Sequence, residues 1–462
     1  MLTDKIRVDF SRVQDEIQHG HIYPDVTAEE VRTYLASRYD FTKAMNLDDV
    51  VADAEKMLRN WQVQVTHPRY FGLFNPSVTF ASVVAETLVA MYNSQLANWR
   101  TSPAANEIER HTLKWLTAKF GLPVDSRAMF TSGGTEANLS AVVVALTQAF
   151  PGYGENGLRG AAAAPTIYLT AEAHHGFNKI AHMTGLGRKS LRLVATDPDL
   201  KMDLVDLERQ VEEDRRNGFA PCLVVGTAGT TAAGAIDPLA EIGRFCRQAD
   251  LWFHVDAAWG GAAAISPILR HHLAGIELAD SITCDAHKWF SVPMGCGMFF
   301  CRHPDRVAEA FRADVSYLPG KKSGSGFDPY TTSVQWSRRF IGLKLFMTLA
   351  EKGESGHAGM IEHQTRMGNL LRESLLASGW SIVNTTPLPL VCFTREGLDV
   401  DRFLASLREE QIAWMSEAEI QGKPAVRACI TSFRTSENDI QWVVSEMNRL
   451  AAQESVRRLA PV

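Results

Sequence analysis

The chain has 462 residues, of which 45% are hydrophobic and 22% are charged, and its formal net charge at pH 7 is -6. This length allows two or three domains with a large core, and the composition is ordinary for a soluble globular protein. The negative charge argues against nucleic acid or an anionic membrane surface as a partner. No apolar run approaches the length of a membrane span, so no membrane association is expected.

The cysteines and the first residues indicate the compartment. Seven cysteines are scattered along the chain without a Cys-x-x-Cys pair, which favours neither a zinc site nor a disulfide framework. The first residues lack the apolar region of a signal peptide. We therefore expect a cytoplasmic protein with reduced thiols and no bound metal.

The N-terminal region is predicted to form helices followed by a loop. Thr27 and Glu30 match a capping box before one helix, and apolar residues from Leu47 to Leu58 mark one face of a second. Neither helix can bury its apolar face alone, so we expect this region to pack against another subunit. The loop at 67–76, rich in proline and aromatic residues, either lines a pocket or simply connects helices. Phe74 is the candidate residue for a pocket wall.

A glycine-rich turn is the first candidate for ligand binding. A short strand at 128–131 leads to Gly133 and Gly134, and a helix begins at Thr135. Backbone N–H groups at a helix N-terminus, together with the helix dipole, form an anion-binding site. The spacing matches neither a Walker A loop nor a dinucleotide fingerprint. By itself the pattern is also compatible with a plain capped turn.

From residue 166 onward, short apolar strands alternate with helical patterns. The candidate strands are 166–170, 190–194, 222–226, 252–256, 281–284 and 297–301. This alternation predicts an α/β fold with a mostly parallel sheet covered on both faces, in which ligands lie at the carboxyl ends of the strands. His174, Thr230, Asp256 and Lys288 all lie at or after a strand end. A histidine or a glycine-rich turn in such a place can equally be structural.

The strongest chemical pattern places Lys288 between His287 and Trp289, downstream of Asp256. A lysine there is either a salt-bridge partner or a reactive amine whose lone pair is freed by desolvation. Asp256 ends a predicted buried strand, where a carboxylate can pair with a ring nitrogen. A Schiff-base lysine and a partner for a pyridinium ring are what pyridoxal phosphate requires of its protein.

The ordered set of motifs resembles the group II pyridoxal-phosphate-dependent amino-acid decarboxylases, which include aromatic-L-amino-acid, glutamate, histidine and cysteine-sulfinate decarboxylases. The resemblance rests on the runs 254–258, 285–289 and 131–138, with further matches between His67 and Arg427. It implies fold type I of the pyridoxal-phosphate enzymes, similar to aspartate aminotransferase, with a smaller C-terminal α+β domain. It also implies a homodimer with active sites at the subunit interface. The implied reaction converts an L-amino acid to the corresponding amine and carbon dioxide.

The same resemblance assigns roles to individual residues. Lys288 would carry the cofactor, Asp256 would pair with its ring nitrogen, and His174 would stack on its ring. Phe74 and Arg427 would contact the substrate, with Arg427 holding the α-carboxylate in a bidentate pair. A structural salt bridge is the alternative for Arg427. The implied cofactor contacts are Gly134, Thr135, His174, Thr230, Asp256, Ala258, His287 and Lys288.

The stretch 318–330, rich in glycine, proline and serine, is expected to be mobile. A linker is the plain interpretation. The resemblance instead implies a loop that closes over the active site of the neighbouring subunit and carries a tyrosine that protonates the substrate carbon after carbon dioxide leaves. Tyr330 is the candidate, which makes Lys288, His174, Asp256 and Tyr330 the implied catalytic residues.

We expect three consecutive parts of the chain. These are a helical segment at 1–75 that packs in a dimer, a large pyridoxal-phosphate-binding domain at 76–345 and a small α+β domain at 346–462. Strands are predicted at 381–386, 390–394 and 426–432, and helices at 401–411 and 436–450. The charged cluster at 214–216 is predicted to be solvated surface.

Other functions are compatible with these motifs. One alternative keeps the cofactor and changes the reaction, to oxidative deamination giving an aldehyde, to a lyase reaction, or to decarboxylation of an acidic amino acid. Another is a non-catalytic binding protein on the same fold. The apolar loop at 67–76 favours an aromatic or otherwise neutral substrate. Against this, Leu73 and Ala97 stand where aromatic-amino-acid decarboxylases carry aromatic residues, and Arg69 and Arg100 would suit an acidic side chain.

Overall fold

A computed structural model describes residues 10–75, 77–313 and 328–459. These residues form two compact units. The sheet unit comprises the described residues of 74–366 together with 384–390, and the terminal unit comprises 10–73, 367–383 and 391–459. We predicted boundaries at residues 75 and 345 and three consecutive parts. Most of the predicted loop at 318–330 lies outside the described residues.

The sheet unit is built on a seven-stranded sheet with the strand order β1-β7-β6-β5-β4-β2-β3. Its strands are β1 (Arg127–Thr131), β2 (Pro165–Thr170), β3 (Leu191–Val194), β4 (Ala220–Thr227), β5 (Trp252–Asp256), β6 (Ser281–Asp285) and β7 (Gly297–Cys301). Successive neighbours from β6 to β3 are parallel, whereas β7 is antiparallel to both β6 and β1. The predicted mostly parallel sheet is therefore confirmed.

Helices separate the strands, as the alternating pattern predicts. The helices that lie in the sheet unit are α4 (Phe80–Tyr92), α5 (Pro103–Lys119), α6 (Gly134–Ala149), α7 (Tyr153–Asn156), α8 (Gly176–Met183), α9 (Leu204–Arg216), α10 (Leu239–Ala249) and α11 (Pro304–Ala310). A longer helix, α12 (Leu343–Ala377), contains a break at Gly353, where the backbone φ is 65°. Glycine tolerates this left-handed conformation without a steric cost.

Helix α6 covers one face of the large sheet. All five residues of β5 are buried, and alternation along a strand sends Trp252, His254 and Asp256 to one face and Phe253 and Val255 to the other. Helix α6 packs on the sheet through small and apolar side chains in a core shared with β2, β4 and β7.

The terminal unit contains a four-stranded sheet with the order β10-β11-β9-β8. Its strands are β8 (Ser381–Ile382), β9 (Leu390–Thr394), β10 (Ser416–Ile420) and β11 (Lys423–Cys429), and its helices are α1 (Phe10–His19), α2 (Ala28–Arg38), α3 (Leu47–Asn60), α13 (Val400–Glu409) and α14 (Glu437–Leu459). The core contains Phe71, Trp380, Phe393 and Phe403. The predicted capping box is present, because Thr27 and Glu30 bond to each other's backbone N–H groups.

Two expectations about local structure are wrong. Strand β10 was not predicted, because its sequence, Ser416–Ile420, alternates glutamate with small or apolar residues and gives a weak apolar signal. Asp214 is buried rather than solvated, because it accepts hydrogen bonds from Tyr168 Oη at 2.7 Å and from the Arg192 guanidinium. These partners come from β2 and β3, far from Asp214 in sequence. No helix among the described residues is long and apolar enough to cross a bilayer.

Candidate active site

The carboxyl ends of three neighbouring strands place polar residues at one edge of the sheet unit. Thr227, Asp256 and Asp285 are the last residues of β4, β5 and β6. Thr227 lies directly opposite Asp256 in the β4–β5 pairing. Because parallel strands end on the same side of a sheet, the segments that follow them meet at this edge. The predicted Lys288 is three positions after Asp285, in one of these segments.

Asp256 is a buried carboxylate with a defined set of donors. Asn138 Nδ2 donates to Asp256 Oδ2 at 2.8 Å, and the Ala258 backbone N–H donates to Oδ1 at 3.1 Å. Hydrogen bonds of this kind stabilise the ionised form of a carboxylate. An ionised, fixed carboxylate at a strand end is suited to pair with a protonated ring nitrogen. The predicted Ala258 therefore enters the site through its backbone, as a partner of Asp256.

Lys288 lies beside a second buried carboxylate, which sequence reasoning did not assign a role. Its Nζ is 3.1 Å from Asp285 Oδ2, and Asp285 is almost fully buried. Asp285 Oδ1 has no hydrogen-bond partner among the described residues. An acidic residue three positions before a lysine gives no clear signal in sequence, because many such pairs are surface ion pairs. The structure distinguishes this pair by its burial.

The glycine-rich turn has the geometry of an anion site. Helix α6 begins at Gly134, and the N–H groups of Gly133, Gly134 and Thr135 have no acceptor in the described part of the chain. A Cβ added to Gly134 would lie 2.8 Å from Asp285 Oδ2, so a larger residue would not fit there. Free N–H groups at a helix N-terminus suit the phosphate of pyridoxal phosphate.

His174 follows β2 and is close enough to Asp256, Asp285 and Lys288 for their charges to act on it. Surrounding protein atoms partly desolvate the ring and lower the pKa of His174, although the side chain remains accessible to solvent. The positive charge of Lys288 lowers this pKa further, whereas the two carboxylates raise it. The Gly176 N–H donates to His174 Nδ1 at 3.1 Å, which leaves Nε2 to carry the proton of the neutral ring.

Two further predicted cofactor residues have structural partners. Thr230 is buried, and its Oγ1 accepts a hydrogen bond from the Ala235 N–H at 3.0 Å inside the turn after β4. His287 is buried, and its Nδ1 accepts from the Cys296 N–H at 3.1 Å. Both residues thus hold segments that follow the strands in place. Their contact with the cofactor stays a prediction.

Tyr330 belongs to a short helical turn, Pro329–Thr331, which follows the undescribed stretch 314–327. Its backbone N–H donates to the Ala97 carbonyl at 3.1 Å, and its ring lies 4.8 Å from that of Trp336. The side chain of Gln335, the residue before Trp336, donates to Glu136 in the first turn of α6 at 2.7 Å. This segment is therefore linked to the helix that carries the glycine-rich turn.

Two of the three arginines considered for substrate recognition, Arg69 and Arg427, lie in the terminal unit. Arg427 is buried on β11, and its Nη1 donates to the Gly72 carbonyl at 2.8 Å and to Ser416 Oγ at 3.3 Å. Arg69 donates to the Ile412 carbonyl at 2.9 Å and lies 4.3 Å from the ring centroid of Trp442. Arg69 thus has a structural role in this unit, and the role of Arg427 toward a substrate stays a prediction.

If Lys288 is the residue that attaches the cofactor, reduction with borohydride in the presence of pyridoxal phosphate should label the tryptic peptide that contains it. We expect one labelled site in the wild type and in Lys179→Ala, which changes an exposed lysine of α8. Lys288→Ala should lose the label completely, because Lys288 supplies the amine beside Asp285. Mass spectrometry of the peptides measures this. A label that persists in Lys288→Ala would contradict the assignment.

The comparisons with known proteins agree with this geometry. Residues 35–396 match the model of the pyridoxal-dependent decarboxylase conserved domain. An aromatic-L-amino-acid decarboxylase of Manduca sexta is 31% identical over 369 residues, which cover 75% of this chain and 70% of that protein. A 4-hydroxyphenylacetaldehyde synthase of Rhodiola rosea is 30% identical over 358 residues, which cover 75% of this chain and 71% of that protein.

The fold is that of solved structures in the same group. The crystal structure of the Oryza sativa enzyme TDC with pyridoxal phosphate and tryptamine has a TM-score of 0.89 at 23% identity, covering 96% of this chain and 95% of that chain. The family match spans most of the chain, and the glycine-rich turn, Asp256 and Lys288 all fall within it. The chain therefore belongs to the pyridoxal-dependent decarboxylases, carboxy-lyases that use pyridoxal phosphate to remove the carboxylate of an amino acid.

Proposed function

We propose that this protein decarboxylates an aromatic L-amino acid to the corresponding amine. The observation that carries the proposal is an aromatic wall beside Lys288, whose Nζ lies 5.8 Å from the ring centroid of Phe74. Phe74 stacks on Trp259 with ring centroids 4.6 Å apart and an interplanar angle of 26°. The ring centroid of Trp289 is 5.6 Å from that of Trp259.

This wall suits a flat, neutral side chain. Phe74, Trp259 and Trp289 are buried, and rings stacked in this way present apolar faces and edges to a ligand. An acidic substrate would need a cation that is free to pair with it, and Arg69 already bonds to backbone carbonyls of its own unit. The relatives from Manduca sexta and Rhodiola rosea, both named for aromatic compounds, support the same substrate class.

Each site residue has a proposed part in the reaction. The α6 N-terminus would hold the phosphate, Asp256 would pair with the ring nitrogen, His174 would contact the ring, and Lys288 would attach the cofactor. When bound, pyridoxal phosphate supplies an electron sink for the electron pair left by the departing carbon dioxide. The α carbon then gains one proton, so that substrate and one proton give one amine and one carbon dioxide.

The function is tested by supplying each common L-amino acid, and dopa, with pyridoxal phosphate and measuring carbon dioxide and amine. We expect equal amounts of both from tryptophan, tyrosine, phenylalanine or dopa, and far less from glutamate or aspartate. Phe74→Ala should raise KM for the aromatic substrate by roughly tenfold, because removing a buried ring contact costs about 1–3 kcal/mol. Val205→Ala, a change at an exposed position of α9, is the control.

A preference for acidic amino acids would overturn the proposed substrate class. Carbon dioxide with aldehyde, ammonia and peroxide in place of amine would assign oxidative deamination instead. That outcome has a specific precedent in the 4-hydroxyphenylacetaldehyde synthase that this chain resembles. In both cases the labelling of Lys288 would be unchanged, so the substrate and the reaction are judged separately from the cofactor site.

We further propose that Tyr330 donates the proton to the α carbon. Tyr330→Phe should then lower amine formation by about 100-fold or more, in the range by which general acids contribute. Carbon dioxide release should fall less, with the difference made up by aldehyde and ammonia, formed as dissolved dioxygen is reduced to peroxide. Tyr153→Phe, a change in α7, is the matched control. An unchanged ratio of amine to aldehyde in Tyr330→Phe would exclude Tyr330 as the donor.

The protein is also proposed to act as a homodimer in the cytoplasm. Helix α4 carries apolar residues around most of its circumference, yet Phe80, Met91 and Tyr92 are between 59% and 80% exposed in the single chain. Helices α2 and α3 contain no buried residue, and Leu35, Leu47 and Leu58 are exposed there. Apolar surface of this extent is typical of a subunit interface.

Light scattering after gel filtration should give twice the mass of one chain for the wild type. Met91→Glu should shift the protein toward the mass of a single chain, because it would bury an unpaired charge in the interface. Val205→Glu, at a position that is 77% exposed on α9, should leave the mass unchanged. A wild-type protein of single-chain mass at micromolar concentration would overturn the proposal of a homodimer.

A further inference from the structure

A continuous row of buried polar side chains runs from the start of β5 to Asp256. Trp252, His254 and Asp256 alternate along β5 and share one face, Ser281 begins β6 opposite His254, and Asn138 comes from α6. The links are Trp252 Nε1 to Ser281 Oγ at 2.9 Å, Ser281 Oγ to His254 Nδ1 at 2.9 Å, His254 Nε2 to Asn138 Oδ1 at 3.0 Å and Asn138 Nδ2 to Asp256 Oδ2 at 2.8 Å.

Only one arrangement of protons satisfies every link. The ionised Asp256 can only accept, so Asn138 donates through Nδ2 and accepts through Oδ1. His254 must then carry its proton on Nε2 and accept at Nδ1 from the Ser281 hydroxyl. The indole N–H of Trp252 can only donate, and it donates to the remaining lone pairs of Ser281. Thr283 Oγ1, at 3.5 Å from His254 Nε2, is too far to compete with Asn138.

Burial keeps this row neutral apart from Asp256. His254 is fully buried, and desolvation lowers its pKa to about 4, so its ring is neutral near pH 7. Phe177 packs against the ring, with centroids 6.4 Å apart. The charge of Asp256 acts on both His174 and Cys284, and the charges of Lys288 and Asp285 act on the same two groups. The row itself therefore contributes only oriented dipoles, all with their positive ends toward the carboxylate.

We propose that Asn138, His254 and Ser281 are positioning residues that hold Asp256 ionised and aimed at the ring nitrogen of bound pyridoxal phosphate. The inference rests on the proposed pairing of Asp256 with that nitrogen. Each donor in the row stabilises negative charge on Asp256, so the proton between carboxylate and nitrogen stays on the nitrogen. Removing one hydrogen bond of the row moves that proton toward Asp256 and makes the cofactor ring a weaker electron sink.

The position of Asn138 gives the row a second consequence. Asn138 lies one turn after Gly134 on α6, so the helix that offers its N-terminal N–H groups to the phosphate also fixes the partner of the ring nitrogen. A rigid helix thereby sets the distance between the two ends of the cofactor site. Among the described residues, no other side chain donates to Asp256.

The test compares variants at increasing distance along the row. Asn138→Leu removes the donor next to Asp256, and Ser281→Ala removes the link two residues away. Ser140→Ala is the matched control, because within the described ranges this buried hydroxyl on α6 bonds only to the Glu136 carbonyl. Asp256→Asn is the reference for a complete loss of the carboxylate. Dissociation constants for pyridoxal phosphate are measured together with the 15N shift of cofactor labelled in its ring.

We expect the ring nitrogen to be protonated from pH 6 to pH 8 in the wild type and in Ser140→Ala. Asn138→Leu should weaken cofactor binding by about 10- to 100-fold, the range for hydrogen bonds to charged groups, and should deprotonate the nitrogen within that pH range. Ser281→Ala should do the same to a smaller extent. The double variant Asn138→Leu/Ser281→Ala should bind the cofactor no more weakly than Asn138→Leu alone, because the first change already interrupts the row of hydrogen bonds. In cofactor-free protein, 15N-labelled His254 should show its proton on Nε2.

A purely structural role would give a different result. Asn138→Leu and Ser281→Ala would then lower the thermal midpoint while leaving the ring nitrogen protonated as in the wild type, and this outcome would overturn the inference. Additive effects in the double variant, or a proton on Nδ1 of His254, would also overturn it. If Asn138→Leu does not fold, Ser281→Ala carries the same test. If Asp256→Asn leaves the nitrogen protonated, the pairing on which the inference rests is wrong, although the decarboxylase activity would stand.

Discussion

The site depends on two carboxylates that are buried side by side at the carboxyl edge of a parallel sheet. Asp256 ends β5 and Asp285 ends β6, and a buried charge is tolerated only when it is paired or hydrogen-bonded. Asp256 receives two N–H donors, and Asp285 is paired with Lys288. Of these partners, Lys288 is also the proposed point of cofactor attachment. The same pairing therefore stabilises the fold and prepares the site.

Helix α6 connects the glycine-rich turn at its N-terminus to Asp256. Its N-terminal N–H groups are the proposed phosphate site, and Asn138 in its next turn bonds to Asp256. The helix is held against the sheet by small and apolar side chains, so neither end can shift independently. Gly134 has to be a glycine because the helix start lies close to the Asp285 carboxylate. A single helix thus carries both the proposed phosphate site and the side chain that donates to Asp256.

The substrate side is defined by aromatic rings rather than by charge. Phe74 lies near Lys288 and stacks on Trp259, whose own N–H donates to the Gly229 carbonyl at 2.7 Å. This bond fixes the indole, and the indole fixes the ring of Phe74. A wall built in this way recognises shape and apolar surface, and it agrees with relatives that act on aromatic compounds by two different reactions.

Much of the fold and part of the site could be predicted from the sequence. Strand and helix alternation predicted the mostly parallel sheet, because residue type and spacing act locally, and the glycine-rich turn and the strand ending at Asp256 follow from the same local rules. Lys288 stood out by its neighbours and by the resemblance to a family.

The hydrogen-bond partners of buried groups could not be predicted from the sequence. Asn138 and Asp256 are 118 positions apart, and His254 and Ser281 are 27 apart, so their hydrogen bonds exist only once α6, β5 and β6 have packed. Asp214 was wrongly placed on the surface for the same reason, since Tyr168 and Arg192 reach it only in the folded sheet. The sequence by itself determined the strand and helix pattern and the motif residues that fall within the family match. The tertiary structure alone decided which buried partners hold these residues, because burial and pairing arise from contacts between distant segments.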